Sequence, residues 1–270
     1  MQAFPFAILA MVFYVAGGVC QGLALTRRVP PHPVLVRALG VLAVACHSVV
    51  AASALGDLGE MSLGISASAS LVSWLVVILL LLASLFKPVL SAAVALFPIA
   101  AATILLATEL PVGSHRAELT PGIMIHILTS IVAFAVFAIA AVQAFLMARQ
   151  NQALRHHHTR GLVQSLPPLT TMERVLFELI WVGMVLLTAA IISGIVFLDN
   201  IFAQHLVHKT VLSFAAWVIF ATLLAGRHFL GWRGNRAARW TLGGCALLLL
   251  AYFGSKAVLE LMLDRRWQAG

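Results

Sequence analysis

The chain has 270 residues, 62% of them hydrophobic and only 10% charged, with a mean hydropathy of +1.03. That balance excludes a soluble enzyme or binding module and points to a chain that lives in a bilayer. The net charge of +8 is not clustered on a polar soluble face, so no nucleic-acid partner is expected.

Crossing a bilayer takes roughly 20 mostly apolar residues per helix. Runs of that kind fall at 3–25, 34–55, 65–86, 89–108, 122–147, 175–198, 207–226 and 239–262. None alternates apolar and polar residues as a barrel strand does, so each predicts a helix. The expected fold is an all-α integral membrane protein, a bundle of eight transmembrane helices forming one polytopic domain over 1–270. The longest connection, 148–174, is basic and polar and separates five spans in 1–147 from three in 175–270.

Twelve Lys and Arg side chains lie in connections at one end of these spans and four at the other, with Lys256 inside a span. The richer end is expected to be cytoplasmic and both termini periplasmic. Residues 1–25 lack the basic start of a signal peptide, and their arginines follow the apolar run, as for a retained first span. Cys20, Cys46 and Cys245 form no CxxC pair and read as structural thiols within spans.

In chain order, span 1 leads into a basic loop at 26–33 with three prolines, and span 2 carries Cys46-His47 near its middle. Lys87-Pro88 turns the chain into span 4. Span 5 opens with Thr120-Pro121-Gly122 and places His126 five residues inside. His156-His157-His158 in the long connection lacks the spacing of a helical metal site and reads as a solvated loop. Span 6 has Glu178 near its start, then Gly183 and Ser193-Gly194, small residues that permit close helix contact. His208-Lys209 opens span 7, and Gly231-Trp232-Arg233-Gly234 makes the last turn at the basic end. Lys256 and Glu260 in span 8 are four apart and able to pair on one face.

An ionisable ring in a transmembrane helix is a functional hypothesis by default, because hydrocarbon penalises it unless it finds a partner. His47 sits about 13 Å inside Gly56 and His126 about 7 Å inside Pro121, which the expected topology places on the outer half of the bilayer, toward the outer leaflet. Two neutral imidazoles at comparable depth can ligate one haem iron axially in an apolar cavity. The alternative for each is a hydrogen bond to a neighbouring helix. His208 is the third candidate ligand, or a solvated interfacial residue. Lys209 and Lys256 are candidates for haem propionates; snorkelling explains the first equally well, and a pair with Glu260 the second. Hydrolytic and phosphate-binding motifs are absent from the sequence, and no catalytic residue is expected.

Four stretches in the second half, taken in order, resemble the cytochrome c assembly superfamily of CcsA/CcmC/HemX-type membrane proteins. They are Met124-Ile125-His126-Ile127; Gly183-Met184-Val185-Leu186-Leu187-Thr188 running to Ser193-Gly194; Lys209 followed by Trp217; and Gly231-Trp232-Arg233-Gly234 leading to Ala251-Tyr252-Phe253-Gly254. The whole chain is most similar to the YpjD-like branch of that superfamily. The resemblance implies a bacterial inner-membrane protein that binds, holds or transfers non-covalent haem b, with a cytochrome-assembly or other membrane protein as partner. It makes His126 the haem-ligand histidine, with His47 or His208 as the second ligand. The sequence departs from the family in having no tryptophan between Gly194 and Lys209 and Asp264-Arg265-Arg266-Trp267 where an outer histidine is expected. A transporter auxiliary using His47, His126 and Glu178 for protons, and a structural subunit without cofactor, are the other classes.

Overall fold

Each of the eight apolar runs forms a helix over its described part in the computed structural model, which describes residues 3–55, 65–109, 121–156, 162–197 and 207–254; 255–262 of the last run lie outside them. The helices are α1 (Phe4–Leu25), α2 (Pro33–Leu55), α3 (Ile65–Phe86), α4 (Ala93–Glu109), α5 (Pro121–Arg155), the short α6 (Leu162–Ser165), α7 (Leu169–Phe197), α8 (Val207–Leu230) and α9 (Gly234–Leu249). A 3₁₀ turn, Leu90–Ala92, leads into α4, and a π-helical turn, Leu250–Gly254, follows α9. With the 3₁₀ turn counted into α4 and the π turn into α9, all but α6 are long and apolar enough to span a membrane, and there is no strand among the described residues. The chain is a multi-pass membrane protein.

Packing sorts the spans into two groups of four. In the first group α1 lies against α2 and α4, and α3 against α4 and α2. In the second α5 runs along α7 and α9, and α8 lies against α9 and α7. The groups meet where α3 touches α5. The connection at 148–174 therefore joins helices of one group.

In hydrocarbon the helices gain nothing from burying Leu against Leu instead of lipid, so small residues and interhelical polar pairs fix their neighbours. Serine does this on α3. Ser73 Oγ is 2.7 Å from Thr103 Oγ1 on α4, and Trp74 Nε1 donates to Ser48 Oγ on α2 at 3.0 Å. Glycine does it in the second group. The rings of Phe137 (α5) and Phe220 (α8) stack with centroids 4.0 Å apart. A Cβ on Gly183 of α7 would lie 2.7 Å from Phe137, and one on Gly244 of α9 2.6 Å from Phe220. Two glycines thus bracket two phenylalanines, and all four helices close on that sandwich.

The turn after α1 ends the helix in an unusual way. Arg28 N–H donates to the Leu23 carbonyl and Arg27 N–H to that of Ala24, the paired bonds of a Schellman cap. Its left-handed position, normally glycine, is Arg27 at φ +57°, the sole non-glycine residue with positive φ among those described. An L-residue held there costs roughly 1–2 kcal/mol.

Candidate functional site

His126 stands on the second turn of α5, half-buried, facing the far end of α7. Gly122 below it permits this approach, since a Cβ there would collide with the ring of Phe197 on α7. His126 Nδ1 is 2.8 Å from the carbonyl oxygen of Ala190 and 3.3 Å from Ser193 Oγ. Ser193 Oγ itself donates to the same carbonyl at 3.0 Å. A carbonyl only accepts, so Nδ1 carries the proton and Nε2 keeps its lone pair. Among the described residues Nε2 has no hydrogen-bond partner. A ring held by a backbone carbonyl through one nitrogen, with the other left without a protein partner, is how metal-ligating histidines are oriented.

One turn deeper, Trp217 Nε1 of α8 donates to Thr188 Oγ1 of α7 at 2.9 Å, and Phe214 stacks on Trp217. His208 and Lys209 open the same helix. His208 is exposed, whereas Lys209 lies seven and eleven residues before Ala216 and Phe220, on the face that both bury. Lys209 is half-buried and has no ion-pair partner among the described residues. The ends of α5, α7 and α8 therefore bring His126, His208 and Lys209 to one end of the second group. Lys256, its expected partner Glu260, and His115, His205, His157 and His158 lie outside the described residues.

His47 is in a different place. It is 0% exposed, with Nδ1 3.2 Å from the Tyr14 hydroxyl and Nε2 2.9 Å from Ser70 Oγ. In either tautomer one nitrogen donates and the other accepts, so both are spent on stitching α2 to α1 and α3. His126 finds its partners on α7, so the two imidazoles do not share a partner, and their helices are not packed as neighbours. Tyr14 and Ser70 carry no sequence signal as partners of His47, because they lie 33 and 23 residues away.

At the basic end the sequence also conceals a carboxylate hub. Glu173 on α7 is bound by Arg227 of α8 at 2.6 Å, by Arg233 at 3.2 Å and by the Gly234 N–H at 3.2 Å. The Gly-Trp-Arg-Gly motif is the turn so held. Gly231 and Gly234 supply its positive φ values, and Trp232 packs on Gly226 and Trp240. Glu178 is occupied by Lys87 at 2.7 Å and Arg174 at 3.3 Å. Among the described residues no group of three His, Cys, Asp or Glu is arranged to hold a metal ion.

The family model described as cytochrome C assembly protein matches residues 35–263. The chain belongs to the cytochrome c assembly protein family. The matched stretch includes His47, His126, His208, Lys209 and Glu173, and begins after Tyr14, Arg27 and Arg28. The chain is 37% identical over 145 residues to the inner membrane protein YpjD of Escherichia coli K12, covering 54% of this chain and 55% of that protein. It is 34% identical over 147 residues to an uncharacterized 28.8 kDa protein in the nifR3-like 5' region of Azospirillum brasilense, covering 53% and 54%. The chain thus spans about half the length of the curated relatives it matches. No solved structure matches it significantly. Within this cytochrome c assembly family protein, the motif stretches read from the sequence all fall in the second group of helices or its turns.

Proposed function

We propose that this chain is an inner-membrane haem-handling protein, a carrier or assembly factor and not an enzyme, that holds haem b without a covalent link. Its family and the inner-membrane naming of its E. coli relative support the setting. The observation that supports the reading is the hydrogen bond from His126 Nδ1 to Ala190, which leaves Nε2 without a partner among the described residues, as a haem ligand needs. His208, on the first turn of α8, is the proposed second ligand; His47 would have to release Ser70 or Tyr14 to serve. Lys209 would face a propionate, with Lys256 proposed for the same task. Haem, when bound, would supply iron and two propionate carboxylates; His126 and His208 would hold the iron, and Lys209 and Lys256 would supply counter-charge. A cytochrome-assembly or other membrane protein would receive or deliver the haem at the His126 end, proposed to be periplasmic.

The test is the absorption spectrum of protein purified in detergent from haem-replete cells. Wild type is expected to show a Soret band that is lost in His126→Ala and shifted in His208→Ala. A colourless wild-type preparation would overturn the reading. It would favour a structural subunit, for which the interhelical bonds of both His47 and His126 also speak.

A further inference from the structure

Arginine at the left-handed cap of α1 is a strained choice with no gain inside the fold beyond one bond, from Arg27 Nη2 to the Gln164 carbonyl at 3.2 Å. That bond links the turn to α6, and residues of both line a groove of about 430 Å³. Ala24, Leu25, Val29 and Pro30 give the groove apolar walls, and Arg27 and Arg28 stand on its lining. Arg28 has no hydrogen-bond or ion-pair partner among the described residues, and Arg27 spends only the one donor. The sequence offers this end of the bundle two carboxylates, Glu173 and Glu178, and both are engaged elsewhere. Among the described residues no acid lines the groove, so its positive charge is left for an anion from outside.

We propose that the groove beside Arg27 and Arg28 binds a phosphate-bearing ligand, with the headgroup of an anionic phospholipid as the favoured source. Two guanidinium forks with unspent donors suit phosphate oxygens. The basic end is the one that faces anionic headgroups at the cytoplasmic surface, and apolar walls accommodate glycerol and the first acyl carbons. Strain kept at a position where glycine would relieve it is accounted for by the ligand it presents a guanidinium to.

Full-length protein in detergent, offered phosphatidylglycerol or phosphatidylcholine, is assayed by native mass spectrometry for retained lipid and by thermal unfolding. Wild type is expected to prefer phosphatidylglycerol, with a loss of roughly fivefold in that preference for each arginine removed in Arg27→Gly or Arg28→Gln. Arg27→Gly suits the cap, so without lipid it unfolds at a higher temperature than wild type, which separates lost binding from lost folding. Arg149→Gln with Arg155→Gln, exposed arginines at the same end outside the groove, keeps the preference. If inorganic phosphate alone stabilises wild type but not Arg27→Gly, the site stands and its ligand is a soluble phosphate. The proposal fails if Arg27→Gly and Arg28→Gln keep the full preference, if Arg149→Gln/Arg155→Gln loses it equally, or if neither lipid nor phosphate has an effect.

Discussion

Glu173 on α7 and Arg227 on α8 form an ion pair of 2.6 Å at the mouth of the second helix group, with the carboxylate 14% exposed. The same carboxylate holds Arg233 and the first amide of α9, so one acid fixes where α8 stops and α9 begins. Glu173→Gln is expected to cost about 2 kcal/mol, the scale of a hydrogen bond to a charged group lost in a partly buried site. Unfolding in detergent measures the cost, and faster proteolysis at 231–234 locates it. Arg233 is far more exposed, and its replacement by Ala is expected to change stability by less than about 1 kcal/mol. Equal effects of the two variants would refute the hub.

The Gly183–Phe137–Phe220–Gly244 sandwich makes a size prediction. Gly183→Ala and Gly244→Ala each force a ring out of contact and are expected to destabilise by about 1–3 kcal/mol. Trimming the ring restores room: Phe137→Leu should recover part of the Gly183→Ala loss and none of the Gly244→Ala loss. A double-mutant cycle on the thermal midpoint reads this coupling directly.

His47 is expected to matter for folding and not for colour. His47→Ala leaves the Tyr14 and Ser70 hydroxyls without their ring partner in a buried site, costing about 1–3 kcal/mol. If the protein binds haem, the Soret band of His47→Ala should match wild type per folded molecule. Its loss would make His47 an axial ligand and displace His208 from that role.

Ser193 shares the Ala190 carbonyl with His126. Ser193→Ala leaves that carbonyl to the imidazole alone, which strengthens the Nδ1 bond and makes the ring a stronger donor to iron. In haem-loaded protein the band is expected to persist while the reduction potential moves negative. Spectroelectrochemical titration decides it, and an unchanged potential would show that the carbonyl does not tune the ring.

The eight spans were readable because hydrocarbon imposes one rule on every residue it surrounds, and a run of roughly 20 mostly apolar residues satisfies it. Helix ends were less readable where polar residues carry a helix beyond the apolar run. The apolar signal of span 5 stops at 147, but α5 continues through Arg149, Gln150 and Asn151 to Arg155, with Asn151 bonded to Asn235 of α9. The signal of span 6 starts at 175, whereas α7 begins at Leu169 and so includes Glu173. His126 declared itself as an imidazole in an apolar run. Its partner did not, because a backbone carbonyl 64 residues away has no side-chain signature. Arg27, Arg28 and Arg227 read equally as topology markers, and three-dimensional contacts alone distinguish a cap, a free guanidinium and an ion pair.

At 35 residues, α5 is about 52 Å long, well beyond the roughly 30 Å of a bilayer's oily interior. Its one proline is its first residue, so the shaft has no break between His126 and Asn151. A rod of that kind cannot bend at its middle to spare one tip from what happens to the other. Asn151 and His126 therefore keep a fixed separation along one shaft, and the bond from Asn151 to Asn235 anchors against α9 the same rod whose other tip carries the imidazole.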